Sequence, residues 1–310
     1  MARVIHTGQA LVDVVVEIPA LPRRGDNSMA TSYARYAGGA TNILVASART
    51  GATSVHAGAH GKGPNGDLIR QAMAAEGIQV SSPIVDEIDT GICFVMIEPS
   101  AERTFVTTMG AERLISVESL NTCSPQPGDL VHVTGYSLAV RSTRRPLLEW
   151  LESLPHGVIV LLDPGAAFTT LPAPIRQRML ALTTVWTSNG DEAYQLTMER
   201  DMQLAAKEAA EVLPEGAIAI IRDGRDGCAV HVDGQTHLVP GYPQKPVDTN
   251  GAGDCHTGVL SAEYLLSGDW VESARRANAA AALKVTRRGP ATAPTRAEVD
   301  AFLADWEAKH

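Results

Sequence analysis

The residues with the clearest capacity for chemistry lie together at Asp248-Thr249-Asn250-Gly251-Ala252-Gly253-Asp254. Gly251, Ala252 and Gly253 carry little side-chain bulk, so their main-chain N–H groups can approach an anion closely. A helix beginning near Asp254 adds the positive end of its dipole. A carboxylate beside such an anion hole suits phosphoryl transfer: the hole steadies the moving phosphate, and the carboxylate takes a proton from the attacking hydroxyl. Taken alone, the same residues fit equally well a glycine turn with an aspartate that caps a helix.

These residues need a frame, and the apolar patterning supplies one. Residues 4–8 read as a buried strand, and 11–18 as a second that carries Asp13 and Glu17. Gly38-Gly39-Ala40-Thr41-Asn42 leads into a helical segment over 43–50 that stops at Gly51. A strand over 53–59 and a helix over 66–76 follow, the latter ended by Gly77. Residues 91–98 and 103–108 form a hairpin pattern around Pro99-Ser100-Ala101-Glu102. From residue 130 onward, short apolar strands (130–134, 158–162, 184–187, 217–221) alternate with helical segments, which implies parallel strands with crossover helices. Residues 228–232 and 236–239 suggest an antiparallel pair around Asp233-Gly234. Helices over 254–266, 270–284 and 296–308 close the chain. The fold class is therefore α/β: a three-layer core with a mostly parallel sheet, and β-rich excursions at roughly 11–36 and 90–108 that meet in a small sheet over the site.

Composition narrows the function classes. The chain has 310 residues, is 45% hydrophobic and 20% charged, and carries a formal net charge of −9. It can bury a sizeable core, and its acidity and lack of a basic run argue against a nucleic-acid binder. Cys93, Cys123, Cys228 and Cys255 form no CxxC pair, which favours reduced thiols in a cytoplasmic protein over zinc or disulfide frameworks. Residues 1–6 run straight into a strand pattern with no signal peptide, and no apolar run is long enough to span a membrane.

Five matches in order make the chain resemble the ribokinase (PfkB) family of carbohydrate and nucleoside kinases over essentially its whole length. They are residues 8–13, Gly38 to Asn42, Asn189-Gly190-Asp191-Glu192, Arg222-Asp223-Gly224 through Gly227, and Asp248 to Asp254, followed by residues 285–291. The resemblance implies one ribokinase-like kinase domain over 1–310, with a lid formed by 11–36 and 90–108. It implies Asp254 as catalytic base and Gly251, Ala252 and Gly253 as the anion hole. Asp13, Gly38, Gly39 and Asn42 then bind the acceptor, with the Asp13 carboxylate taking two sugar hydroxyls. Asn189, Arg222, Gly224, Gly227 and Asn278 lie on the nucleotide side, with ATP as phosphoryl donor. Glu192 lies near Mg2+, acting through water, and Asp248 with residues 286–291 resembles a loop for a monovalent cation, K+. Read from the residues alone, Asn189 and Glu192 also fit a helix cap, Asp13 a solvent-facing strand residue, and Asn42 a cap. His256 reads as a packing residue more readily than as an acceptor contact.

Relatives that act on sugar phosphates often place Lys in the Gly-Gly segment. Here Ala40 and Thr41 stand there, which points to an unphosphorylated acceptor, with Arg35, Arg103 and Lys62 as the residues that could still supply a cation for a phosphorylated one. The expected activity is ATP-dependent phosphorylation of a primary hydroxyl on a small sugar or sugar-like compound. A nucleoside kinase on the same scaffold is the alternative within the class, and a non-catalytic sugar- or nucleotide-binding regulator the alternative outside it. The expected partner is a small molecule rather than nucleic acid or membrane, with a homodimer formed through the lid sheet.

Overall fold

The computed structural model describes residues 2–100 and 102–309. Among these, nine strands form the larger sheet, in spatial order Gln235–Pro240, Gly227–Val232, Ile218–Arg222, Val185–Asn189, Ile159–Asp163, Leu130–Thr134, Arg3–His6, Thr53–His56 and Gln79–Val80. Pairing is parallel from Ile218–Arg222 to the Gln79–Val80 edge. The first two strands in that order are antiparallel, joined through Asp233-Gly234.

Adjacent residues on the central strands point into different cores, as the two-residue period of a strand requires. Val131, Leu162, Trp186 and Ile221 pack with the helices Arg141–Glu152, Ala173–Leu182 and Met202–Glu211. Leu130, Leu161, Val185 and Ile220 face the other way, onto Ala252–Ser267, Trp270–Lys284 and Arg296–Lys309. Strands apolar on both faces, each face covered by helices, give the three layers anticipated from the alternation of elements.

A separate four-stranded sheet runs Ser32–Gly39, Ala10–Glu17, Ile92–Ile97, Arg103–Thr107. Its second strand is antiparallel to the first and parallel to the third, and Asp13 lies between Tyr36 and Cys93. The helix Ala40–Thr50 starts three residues before the segment expected over 43–50, and residues 38 and 39 end the strand Ser32–Gly39. Among the features with no counterpart in the sequence pattern are the edge strand Gln79–Val80 and the pair His60–Gly61 with Ile84–Val85. Two residues are too few to show a period.

One close approach positions the site. The helices Ala40–Thr50 and Ala252–Ser267 cross where Gly258 meets the main chain of Ile43, and a Cβ at residue 258 would collide with the Ile43 carbonyl oxygen. The missing side chain lets the two helices touch and sets their N-terminal ends side by side.

Candidate active site

Those two helix starts carry Asn42 and Asp254. The Asn42 side-chain amide donates a 2.9 Å hydrogen bond to Asp254 Oδ2. Asp254 lies in the first turn of a helix whose cap, Gly251, takes the left-handed conformation (φ 75°) and offers no side chain to the first-turn N–H groups. A glycine there meets the backbone requirement without Cβ strain and leaves those donors available for an anion.

The carboxyl of Asp254 is held above the usual carboxylate range, chiefly by burial and then by the nearby charge of Asp163; the Asn42 hydrogen bond and the charges of Arg222 and Lys284 oppose the rise. Asp13 is affected more strongly. Burial, followed by the charge of Asp254, lifts its carboxyl to about 7. Gly38 explains how Asp13 is seated: a Cβ at residue 38 would overlap its carboxylate. Asp13 is thus a buried group sharing the field of Asp254, not the solvent-facing strand residue that its sequence position also allowed.

Three parallel strands end at the site. Asp163, Asn189 and Arg222 are the last residues of Ile159–Asp163, Val185–Asn189 and Ile218–Arg222. Convergence of side chains at the C-terminal ends of such strands is where open α/β sheets bind ligands. Arg222 Nη1 donates to Gly253 O (3.0 Å) and Thr257 Oγ1 (2.9 Å), while Nη2 donates to Asp163 Oδ2 at 3.1 Å. The guanidinium therefore pins the turn that carries Asp254. Asn189 and Glu192 form a reciprocal cap: Asn189 N–H donates to Glu192 Oε2 (3.0 Å), and Glu192 N–H to Asn189 Oδ1 (2.8 Å). The plain helix-cap geometry is present. The Glu192 carboxyl is also raised, by burial and then by Asp163, so two carboxylates face one region.

Two cavities meet at the anion-hole turn. One, of about 490 Å³, runs from Arg103 and Phe105 on the smaller sheet to Gly251–Asp254. The other, of about 620 Å³, is lined by Asn189, Arg222, Gly224, Gly227 and Asn278 among others. Thr249, Ala252 and Gly253 border both. The amide of Asn278 is already engaged: it donates to the carbonyls of Val239 and Pro240, and its oxygen lies 3.1 Å from His256 Nε2. His256 is accordingly a packing residue under the nucleotide-side cavity. Cys93, Cys123, Cys228 and Cys255 are free thiols, and among the described residues no cluster of three metal-ligating side chains occurs.

Asp248 sits where the resemblance placed a cation. Its Oδ1 accepts from Arg103 (3.0 Å) and from Asn250 N–H (2.9 Å), its Oδ2 from Gly289 N–H (3.0 Å), and its main-chain oxygen from Lys284 Nζ (3.0 Å). Asp163 and Lys284 went unnoticed as members of the site. Asp163 had a readable signal, a carboxylate ending a buried strand just before Pro164-Gly165. Lys284 had a weaker one, a lone cation at the end of an alanine-rich helix.

With that geometry established, residues 1–296 match the description pfkB family carbohydrate kinase. An Escherichia coli K12 protein described as an uncharacterized sugar kinase, YegV, is 32% identical over 302 residues, covering 96% of this chain and 92% of its own. The ribokinase of Haemophilus influenzae is 28% identical over 311 residues, covering 96% of each chain. Among solved structures, Arabidopsis thaliana ribokinase in complex with ribose and ATP superposes with a TM-score of 0.79 at 23% identity, over 98% of this chain and 99% of that one. The chain belongs to the pfkB family of carbohydrate kinases. It is an ATP-dependent sugar kinase with the ribokinase fold, and its smaller sheet matches the lid of that fold. No helix among the described residues is long and apolar enough to cross a membrane.

Proposed function

We propose that the protein transfers the γ-phosphoryl group of ATP to a primary hydroxyl of a small, unphosphorylated sugar, with Asp254 as general base. The observation that carries this reading is the Asn42–Asp254 hydrogen bond, which ties the base to the acceptor-side helix. Asp13, a carboxyl raised by burial and then by the charge of Asp254, holds a hydroxyl of the same acceptor in this scheme. The acceptor hydroxyl gives its proton to the Asp254 carboxylate as its oxygen bonds to the γ-phosphorus. The bond from that phosphorus to the β–γ bridging oxygen breaks, and ADP leaves. The N–H groups of the Gly251–Gly253 turn stabilise the charge spreading over the phosphoryl oxygens. Arg222, bound to Gly253 O, keeps that turn in register with the base.

The carboxylates of Asp163 and Glu192, the latter raised by burial and then by the charge of Asp163, face one region beside Asn189, with Arg222 paired to Asp163, and would suit Mg2+ held largely through water. Such an ion neutralises charge on the β- and γ-phosphates.

An unphosphorylated acceptor is supported by Ala40 and Thr41, which put no cation in the glycine segment. Of the cations that could otherwise meet a phosphate, Lys62 pairs with Asp86 at 3.1 Å and Arg103 with Asp248, while Arg35 donates to the neutral amide of Asn65. Phe105, 55% exposed at the mouth of the acceptor cleft, favours a second reading in which a nucleoside base stacks on its ring. ADP release measured across pentoses, hexoses and nucleosides separates the two. Asp254→Asn should lower kcat by about 10²–10⁴-fold with ATP still bound, and a fully active variant would remove the base from this scheme.

A further inference from the structure

We infer that the Lys284 ammonium is a built-in replacement for the potassium ion that the resemblance places beside the anion hole, so that this kinase works without activation by K+. The inference rests on the anion-hole reading above. Lys284 is fully buried at the C-terminal end of Trp270–Lys284, and its Nζ donates 3.0 Å to the main-chain oxygen of Asp248. The other Asp248 acceptors are also taken by the protein: Arg103 and Asn250 N–H hold Oδ1, and Gly289 N–H holds Oδ2.

These contacts stand in a seam between two stretches of chain. Val247 and Asp248 donate their N–H groups to the Val285 carbonyl at 2.7 and 3.0 Å. Gly251, the cap of the anion-hole helix, lies so close to the Pro290 carbonyl that a Cβ would stand 2.6 Å from its oxygen. The ammonium thus lies where residues 247–251 and 285–291 converge, and it is within electrostatic reach of both Asp248 and Asp254. A potassium ion needs the same thing from this seam that Lys284 takes: oxygen acceptors and nearby negative charge. An ion within contact distance of a fixed ammonium and a fixed guanidinium is repelled by both. The residues present therefore do not fit K+; the sequence supplies that charge covalently. A tethered cation needs no recruitment from solution, and it supports the turn that presents N–H groups to the phosphoryl group.

The test compares the full-length enzyme, with its best acceptor, in potassium chloride and in choline chloride at equal ionic strength. The wild type should change less than about twofold in kcat, whereas Lys284→Ala should lose about tenfold or more in choline and recover several-fold in K+ or ammonium, the scale of removing one group that stabilises transition-state charge. Thermal unfolding gives a second readout. The wild-type Tm should be the same in both salts, and that of Lys284→Ala should rise selectively with K+. A wild type whose kcat or Tm climbs specifically with K+ overturns the inference, as does a folded Lys284→Ala that is equally active in both salts. Should the variant not fold in either salt, the two wild-type comparisons decide. Should the wild type phosphorylate no acceptor, the proposed chemistry fails, while its melting in the two salts still decides the cation question.

Discussion

Replacing Asp13 with Asn should stabilise the folded protein at alkaline pH while weakening acceptor binding, and the size of the effect follows from the seating of the carboxylate. Asp13 is 9% exposed, and its carboxyl is raised from 3.8 to about 7 by burial and by the charge of Asp254. A folded-state pKa above the unfolded value means that the native state binds the proton more tightly. The associated stability is fully present below the unfolded pKa and is lost as pH rises through the folded one. At about 1.4 kcal/mol per unit, ionising Asp13 in the empty enzyme costs about 2–3 kcal/mol between about pH 5 and about pH 8. Asparagine keeps the shape and never ionises, so the difference in unfolding free energy, variant minus wild type, should grow by about that amount over the same interval. Urea unfolding of both proteins at the two pH values measures it, and the subtraction cancels the titrating groups that do not interact with Asp13. A difference independent of pH would show that Asp13 is not a raised carboxyl and would remove the shared field of Asp13 and Asp254. The same variant should raise the acceptor KM, because a neutral amide is a weaker acceptor for sugar hydroxyls.

Other perturbations probe the neighbouring contacts. Asn42→Ala removes a hydrogen bond that stabilises ionised Asp254, so its carboxyl should rise further and the acid limb of the kcat–pH profile should move up by about one to two units. An unmoved limb would disconnect Asn42 from the base. Gly38→Ala places a Cβ against the Asp13 carboxylate and should raise the acceptor KM while leaving the KM for ATP within about twofold, a split that initial-rate kinetics resolves. Acid should unfold the protein through its interior histidines. His6, His56, His132 and His256 are all buried with pKa values lowered first by burial, three of them to about 3. Their depressed values favour the native state above pH 6.5, and that advantage shrinks as pH falls towards 3; stability should drop by about 1.4 kcal/mol per unit for each histidine in this window. Near pH 5 four histidines take up protons on unfolding while the raised carboxyls of Asp13, Asp254 and Glu192 release theirs, so a protein that takes up no net protons there would contradict it.

Much of the fold was legible because burial imposes a period. The runs around 130–134, 158–162, 184–187 and 217–221 could only be strands covered on both faces, and each lies within two residues of its observed place. The glycines read as helix stops, Gly51 and Gly77, both take a positive φ, work through their own backbone freedom and needed no partner to be read. The backbone of Gly38 and Gly39 was not legible, because small residues permit several conformations, and pairing with Ala10–Glu17 chose the strand. The anion-hole turn with Asp254 is local for the same reason as the helix stops: its N–H groups belong to consecutive residues.

What no local pattern contains is the meeting of groups far apart in the chain. Asn42 reaches Asp254 across 212 residues because Gly258 lets two helices touch. Asp163 joins Arg222 because their strands end at one edge of the sheet. Lys284 reaches the carbonyl of Asp248 only once the helix Trp270–Lys284 has docked, and the resemblance alone placed a potassium ion there. Residue types and spacing determined which groups can do chemistry and what chemistry that is. Packing decided which of them share a field, because electrostatic coupling depends on distance through the folded molecule and not on separation along the chain.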